Sequence, residues 1–248
     1  MSTILVTGGT SGPGRPLVEA LRAAGHAVRV LSRTAGEQRL VGDLDAGTGL
    51  DAAVAGTDVV VHLATNRKSD LRGTEHLLAA ARAAGIGHLV YLSIVGVDRI
   101  PYAYYRDKVA NEQAIAASGI PFTILRATQF HSFPGDILKL TGGRFFVDLP
   151  IQPIGVDDVA VRLAELTTGA PASSTGEGRV ADIGGPEILQ GRDILARLQR
   201  AGRAKKRVFS LSLPGKTFAA FRAGHHLTGL PGYGTQTFDE WLASGASR

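Results

Sequence analysis

The chain predicts an α/β protein built on a doubly wound parallel sheet, and three observations carry that prediction. A glycine-rich turn, Thr7-Gly8-Gly9-Thr10-Ser11-Gly12-Pro13-Gly14, stands between an apolar run, Thr3-Ile4-Leu5-Val6, and a helix-like run over 15–24. Strand-like and helix-like segments then alternate, and most of the strand-like ones are apolar on both faces, as in a sheet covered from both sides. One punctuation mark recurs: Ala24-Gly25, Ala84-Gly85 and Ser118-Gly119 each close a helical stretch before a β-rich run. Such glycines predict helix C-caps.

A strand over 27–31 closes a βαβ unit within about 30 residues of the first. Further strands are expected at 38–41, 58–63, 88–92 and 121–125. Thr48 with Asp51 three residues on predicts a capping box for the short helix between two of them. After Arg126 the alternation loosens. A turn and short strand are expected at 142–147, and a helix from Val156 with Asp157 and Asp158 in its first turn. A small-residue loop follows at 171–178, then a returning strand near 179–183 and short helices. No linker or low-complexity break divides the chain, so one unit is expected: 1–130 as a Rossmann-type nucleotide-binding core and 131–248 mostly as a small C-terminal substrate-binding lobe. That lobe is expected over the sheet's carboxyl edge, where open α/β sheets take ligands. Phe209, Phe218, Phe221, Tyr233, Phe238 and Trp241 either line a pocket there or anchor the lobe.

Of the 248 residues, 44% are hydrophobic and none is cysteine. Disulfides and cysteine-based metal sites are therefore excluded, and no metal is expected. Met1 leads straight into a strand, and no apolar run reaches the roughly 18 residues of a membrane span. A cytoplasmic protein without a membrane partner is expected. The formal net charge is +5, densest at Arg197, Arg200, Arg203, Lys205, Lys206 and Arg207. No nucleic-acid motif or interleaved aromatics accompany that run, so it reads as a solvated helix end and no nucleic acid is expected. Monomer and homodimer both remain open.

The glycine turn predicts a dinucleotide site. Gly8 permits a sharp turn, Gly14 close packing of helix on strand, and Gly12 lies between them; Pro13 lacks only an N–H that a first helical turn would leave unpaired. Thr10 and Ser11 offer hydroxyls to phosphate oxygens. Arg33 follows the second strand, where an NAD-binding fold places an acid for the ribose 2′-hydroxyl; an arginine there suits the 2′-phosphate of NADP(H). The alternative is a solvated arginine. Tyr104 and Lys108 share a helix face at i and i+4. Tyrosine ionises near pH 10, too high for acid–base work at neutral pH unless a cation stabilises the phenolate. Lys108 provides that cation, and Ser93, ending the preceding strand, could orient a substrate oxygen. The alternative is a surface Tyr–Lys pair covering apolar area.

The spacing Thr7-Gly8-x-x-x-Gly12-x-Gly14 resembles the short-chain dehydrogenase/reductase superfamily, as does Ser93 with Tyr104-x-x-x-Lys108. Read in the other register, Gly8, Ser11 and Gly14 fall on the Gly-x-x-Gly-x-x-Gly of its extended and atypical members. Asp70-Leu71-Arg72-Gly73-Thr74-Glu75-His76-Leu77-Leu78 resembles their helix motif Asn-Val-x-Gly-Thr-x-Asn-Leu-Leu, with Asp70 replacing its first asparagine. From Met1 to about His131 the chain resembles the NmrA-like atypical members, best at 93–98, 122–131 and 153–160. The resemblance implies that Asp43 and Leu44 lie at the adenine, that Leu63, Ala64 and Thr65 pass the ribose, that Lys108 also holds the nicotinamide ribose, and that Gln129, Phe130 and His131 lie beside the nicotinamide as substrate-binding residues; His131 could there donate a proton or bind substrate, the alternative being a structural hydrogen-bonder. That family mixes NAD(P)H-dependent reductases of quinones, carbonyls or related acceptors with regulators that bind NADP(H) and turn nothing over. The expected function is an NADPH-dependent oxidoreductase reducing a small carbonyl or quinone-like molecule; the alternative is a non-catalytic NADP(H) sensor.

Overall fold

Aliphatic residues at consecutive positions make β1 (Thr3–Thr7), whose Ile4, Leu5, Val6 and Thr7 are all sealed from solvent. The computed structural model describes residues 1–65, 70–173, 178–205 and 207–245. After β1 come α1 (Gly14–Ala23), β2 (Ala27–Ser32), β3 (Arg39–Val41), α2 (Leu50–Val54), β4 (Val59–His62), α3 (Asp70–Ala83), β5 (His88–Ile94), α4 (Ala103–Ala116) and β6 (Phe122–Ala127). The six strands form one parallel sheet in the order β3-β2-β1-β4-β5-β6. Strand order reverses at β1, so the connections leaving β1 and β4 diverge and open a crevice at the carboxyl ends of those strands.

Both faces of the sheet are covered. Leu5, Val60, Leu77, Leu89, Tyr91 and Phe122 belong to one buried cluster with residues of α2, α3 and α4. α1 buries Leu17, Val18 and Leu21, a single stripe at helical spacing. The glycine punctuation works as expected: Gly25, Gly85 and Gly119 have φ of 85°, 68° and 75°. The N–H of Gly25 returns to Arg22 O and that of His26 to Leu21 O, and Gly85 and Ile86 repeat the pattern on Arg82 and Ala81. These paired bonds satisfy the last carbonyls of α1 and α3.

Two local expectations fail. Thr48 does not cap α2: Gly49 holds the N-cap position at φ 74° with no side-chain cap, while Thr48 forms a two-way backbone bridge with Asp43. Residues 179–183 do not form a continuous strand. Arg179 bridges Ile124 and Ile183 bridges Ala127, so three steps along β6 face four along the returning segment. The extra residue breaks the ladder as a bulge does.

The remaining elements are α5 (Phe133–Leu140), β7 (Phe145–Val147), β8 (Pro150–Ile151), α6 (Val156–Thr168), β9 (Leu189–Gln190), α7 (Gly191–Arg200), β10 (Phe209–Leu211), α8 (Lys216–Arg222) and α9 (Phe238–Ala243). The chain divides into two compact units, one of residues 1–93, 103–126 and 159–181, the other of 94–102, 127–158 and 182–248. The second has its own core of Leu138, Phe146, Ile151, Ile194, Phe238 and Trp241. Within it β7 pairs with β10 in parallel and β8 with β9 antiparallel. Of the six aromatics singled out above, Phe238 and Trp241 are core residues, while Phe209 is exposed. In the basic run, Arg197 pairs with Glu187 and Asp239, and Arg203 stacks over Trp241. Lys206, and residues 174–177 of the small-residue loop, lie outside the described residues. Among the described residues no helix is long and apolar enough to cross a membrane.

Candidate cofactor and active site

The glycine turn is close-packed on its inner side and open on its outer side. Gly8 has φ 74°, and a Cβ there would lie 2.8 Å from Ala64 N and 2.9 Å from the Leu63 carbonyl carbon. A Cβ on Gly14 would run into Gly8 O. Both positions therefore need glycine, because β1, the start of α1 and the end of β4 meet there. Thr10, Ser11 and Gly12 are exposed, and a Cβ on Gly12 would meet nothing within 4 Å. Pro13 is the N-cap of α1 and its ring makes no cap hydrogen bond, so it does not satisfy the first-turn N–H groups at the positive end of the helix. Those residues fit a cofactor diphosphate, with Thr10 and Ser11 as added donors.

The other predicted nucleotide contacts surround this turn in the first unit. Arg33 follows the last residue of β2 and is exposed. Asp43 turns the chain after β3: its carboxylate accepts the N–H groups of Asp45 (2.8 Å) and Ala46 (3.3 Å). The Leu44 carbonyl accepts from His76 Nδ1 on α3 (2.8 Å). Leu63 N–H donates to Thr7 O and Ala64 N–H to Thr7 Oγ1 (3.3 Å), so residues 63–65 leave β4 along the end of β1.

A buried histidine braces this edge. His62 Nδ1 lies 2.7 Å from Thr7 Oγ1 and Nε2 lies 3.1 Å from Thr74 Oγ1. Thr74 spends its hydroxyl proton on Asp70 O (2.8 Å), so Nε2–H must donate to it, and Thr7 donates to Nδ1. Burial drives the His62 pKa down to about 3, with the Lys108 charge adding to the effect and Asp70 opposing it. His62 is thus a neutral tie between β1, β4 and α3.

Tyr104 and Lys108 lie on α4 as predicted, but Lys108 is buried, only 4% exposed, so the two are not a surface pair. Its Nζ donates to Tyr91 Oη on β5 (3.2 Å), sits 3.5 Å from Asp70 Oδ2 and lies 5.8 Å from the centre of the Tyr104 ring. Asn111 Nδ2 donates to the same Tyr91 oxygen (3.0 Å). Burial alone would lower the Lys108 pKa, but Tyr91, Tyr104 and Asp70 together outweigh it and raise it; Asp70 is the carboxylate among them. Burial pushes the Tyr91 phenol up, against the pull of Lys108 and Asn111. Thr65 Oγ1 donates to Asp70 Oδ2 (2.6 Å) and lies 3.2 Å from Tyr104 Oη. Ser93 follows Tyr91 by two residues and so faces the same side of β5. It is buried, and its Oγ has no hydrogen-bond partner among the described residues. Tyr91, Asp70 and Asn111 were not anticipated in this cluster. Asn111 could have been, since Tyr104, Lys108 and Asn111 at i, i+4 and i+7 share one helix face.

Gln129, Phe130 and His131 belong to the second unit. Phe130 bridges Ile154, with Ile154 N–H on Gln129 O and His131 N–H on Ile154 O. Gln129 and His131 therefore point the same way. Both amide atoms of Gln129 are buried without a partner among the described residues. The His131 ring packs 5.6 Å from Trp241 and 5.9 Å from Phe238. Burial lowers its pKa, although Gln236 and the Pro153 carbonyl lie near enough to favour the proton; neither reaches a ring nitrogen with full hydrogen-bond geometry.

The chain is 34% identical over 213 residues to the (4-alkanoyl-5-oxo-2,5-dihydrofuran-3-yl)methyl phosphate reductase of Streptomyces griseus subsp. griseus, covering 79% of this chain and 73% of that one. It is 30% identical over 151 residues to the 2-alkyl-3-oxoalkanoate reductase of Stenotrophomonas maltophilia, there spanning 46% of each chain. Its fold matches the NADPH-dependent quinone oxidoreductase of Escherichia coli, solved with NADPH, at a TM-score of 0.76 and 19% identity over 98% of this chain and all of that one. The NAD(P)H-binding family profile matches residues 8–168, more than half the chain, and the protein belongs to that family.

Proposed function

We propose that the protein is an NADPH-dependent reductase of a small carbonyl or quinone-like molecule. The observation that carries this is convergence on residues 63–65. Gly8 of the phosphate turn packs against Ala64, and Thr65, the next residue, touches the Tyr104 hydroxyl. The turn that would hold the diphosphate and the phenol that would hold a proton are thereby tied to one short segment. The names of the two reductases among its relatives support the same class of reaction.

In this reading Gly8–Gly14 with Thr10 and Ser11 holds the diphosphate, Asp43 and Leu44 the adenine, and Leu63, Ala64 and Thr65 the ribose. Arg33 reaches the 2′-phosphate and selects NADPH. When bound, the reduced nicotinamide supplies a hydride. Tyr104 donates a proton to the substrate oxygen, and Lys108 holds the ribose and sets the field around the phenol. Ser93, whose buried hydroxyl has no partner among the described residues, orients the substrate oxygen. Gln129, Phe130 and His131 bind substrate, and His131 serves as a neutral group. The test is NADPH consumption against a panel of quinones, aldehydes, ketones and imines. Turnover of at least one supports the reading; tight NADPH binding with no turnover replaces it with a cofactor-sensing module.

A further inference from the structure

We propose that Asp70 is a positioning residue that, through Thr65 and Lys108, holds Tyr104 in its proton-donating form to higher pH than Lys108 alone would allow. The consequence for catalysis rests on the reductase reading above. The effect on Tyr104 itself does not.

Two features of the cluster lead there. The first is the direction of its hydrogen bonds. Thr65 has one hydroxyl proton, and it lies on the Asp70 carboxylate at 2.6 Å. At 3.2 Å from Tyr104 Oη, Thr65 can then only accept, so Tyr104 must be the donor. An acceptor aimed at a phenol stabilises the phenol and offers nothing to the phenolate. The second is charge. Lys108 and Asp70 have side chains 5% and 2% exposed and lie 3.5 Å apart, where little solvent screens them. The ammonium beneath the Tyr104 ring would favour the phenolate, and the carboxylate cancels that pull. The motif that residues 70–78 resemble has asparagine at this position, which would leave the lysine charge uncompensated.

The other groups around the phenol do not replace Asp70. Tyr105 lies beside it on α4, with ring centres 6.3 Å apart. Tyr91 faces Lys108 from β5 as a phenol, its ionisation opposed by burial. His62 on β4, 5.5 Å from Tyr91, is neutral. Among the described residues Asp70 is the carboxylate in this cluster. In reduction, the Tyr104 O–H bond breaks as its proton passes to the substrate oxygen, and the phenolate left behind recovers a proton from water. By offsetting Lys108, Asp70 extends upward the pH range over which the phenol carries the proton it can donate.

Cofactor-free protein suffices for the test. Ultraviolet absorbance of tyrosinate is followed against pH, and the Tyr104 contribution is taken as wild type minus Tyr104→Phe. In Asp70→Asn, with its own Tyr104→Phe control, that contribution is expected to ionise at least about one pH unit lower, the scale on which a near neighbour's charge acts. Asp70→Glu, which restores the charge, is expected to return it to the wild-type position. Asp70→Asn leaves Lys108 buried and uncompensated and can fail to fold. The double variant Asp70→Asn/Lys108→Met removes both charges and is expected to titrate as wild type. Identical Tyr104 ionisation in wild type and Asp70→Asn overturns the proposal, as does a double variant displaced by a full pH unit. Because no acceptor is consumed, this result stands apart from the outcome of the reductase assay.

Discussion

Arg33 illustrates what one residue contributes. It follows β2 directly and is exposed, with the acid that NAD would need absent from the position. NADPH is expected to bind at least about tenfold tighter than NADH, equivalent to about 1.4 kcal/mol, and Arg33→Ala to erase most of that difference in calorimetric titrations. Equal wild-type affinities would remove the 2′-phosphate role. The placement of Arg33 after β2 and of Tyr104 and Lys108 on one helix was legible because the signals are local: a position after a strand, and a spacing of four on a helix. Asp70 and Tyr91 were not legible as partners of Lys108. They come from α3 and β5, and sequence distance carries no sign of the 3.5 Å and 3.2 Å contacts that the sheet order creates. The Gln129 amide, buried without a partner among the described residues, was equally invisible, since such a group is defined only by its surroundings.

At the scale of elements, the strongest sequence signals were the ones whose geometry leaves little choice. Gly14→Ala is expected to cost at least about 2 kcal/mol, because its methyl meets Gly8 backbone that cannot move without separating β1 from α1. Gly12→Ala should cost about 1 kcal/mol or less, since the position has φ 52° but open space around it. Urea denaturation of the two variants separates close packing from simple conformational strain. A second contrast concerns β6 and α4. Arg126 makes a two-pronged pair with Glu112 at 2.9 and 2.6 Å, both side chains largely buried. Arg126→Met alone is expected to cost roughly 3–5 kcal/mol by stranding Glu112, while Arg126→Met/Glu112→Leu recovers most of it. The misread elements have a common cause. Thr48 carries the chemistry of a cap, but its backbone is engaged by Asp43, and Gly49 takes the cap position. Residues 179–183 carry a strand's composition, but an extra residue breaks their register on β6. Composition could not show either, because both depend on a neighbour elsewhere in the chain.

For the molecule as a whole, its buried histidines set the response to acid. Burial lowers the His62 pKa from 6.5 to about 3 and that of His88 from 6.5 to about 4. Below pH 6.5 the unfolded chain takes up protons at these sites and the folded chain does not, so stability is full above 6.5 and falls as pH drops. His62 alone is expected to remove roughly 2 kcal/mol between pH 7 and 5, because each pH unit over which only the unfolded chain is protonated costs about 1.4 kcal/mol. Thermal unfolding from pH 7 to 5 should show the decline, and His62→Asn should make it shallower, with His88 still contributing. The overall α/β architecture was legible because alternation, apolar strands and capped helices all agree; the two-unit division at 94–102, 127–158 and 182–248 was not, since it interleaves segments distant in the chain. The central claim is that NADPH and Tyr104 together perform a reduction, and the most direct measurement is turnover beside NADPH affinity in wild type and Tyr104→Phe, using the best acceptor from the panel. The account predicts nearly unchanged affinity with turnover lower by about a hundredfold or more, the scale of general acid–base catalysis; undiminished turnover in Tyr104→Phe would contradict it.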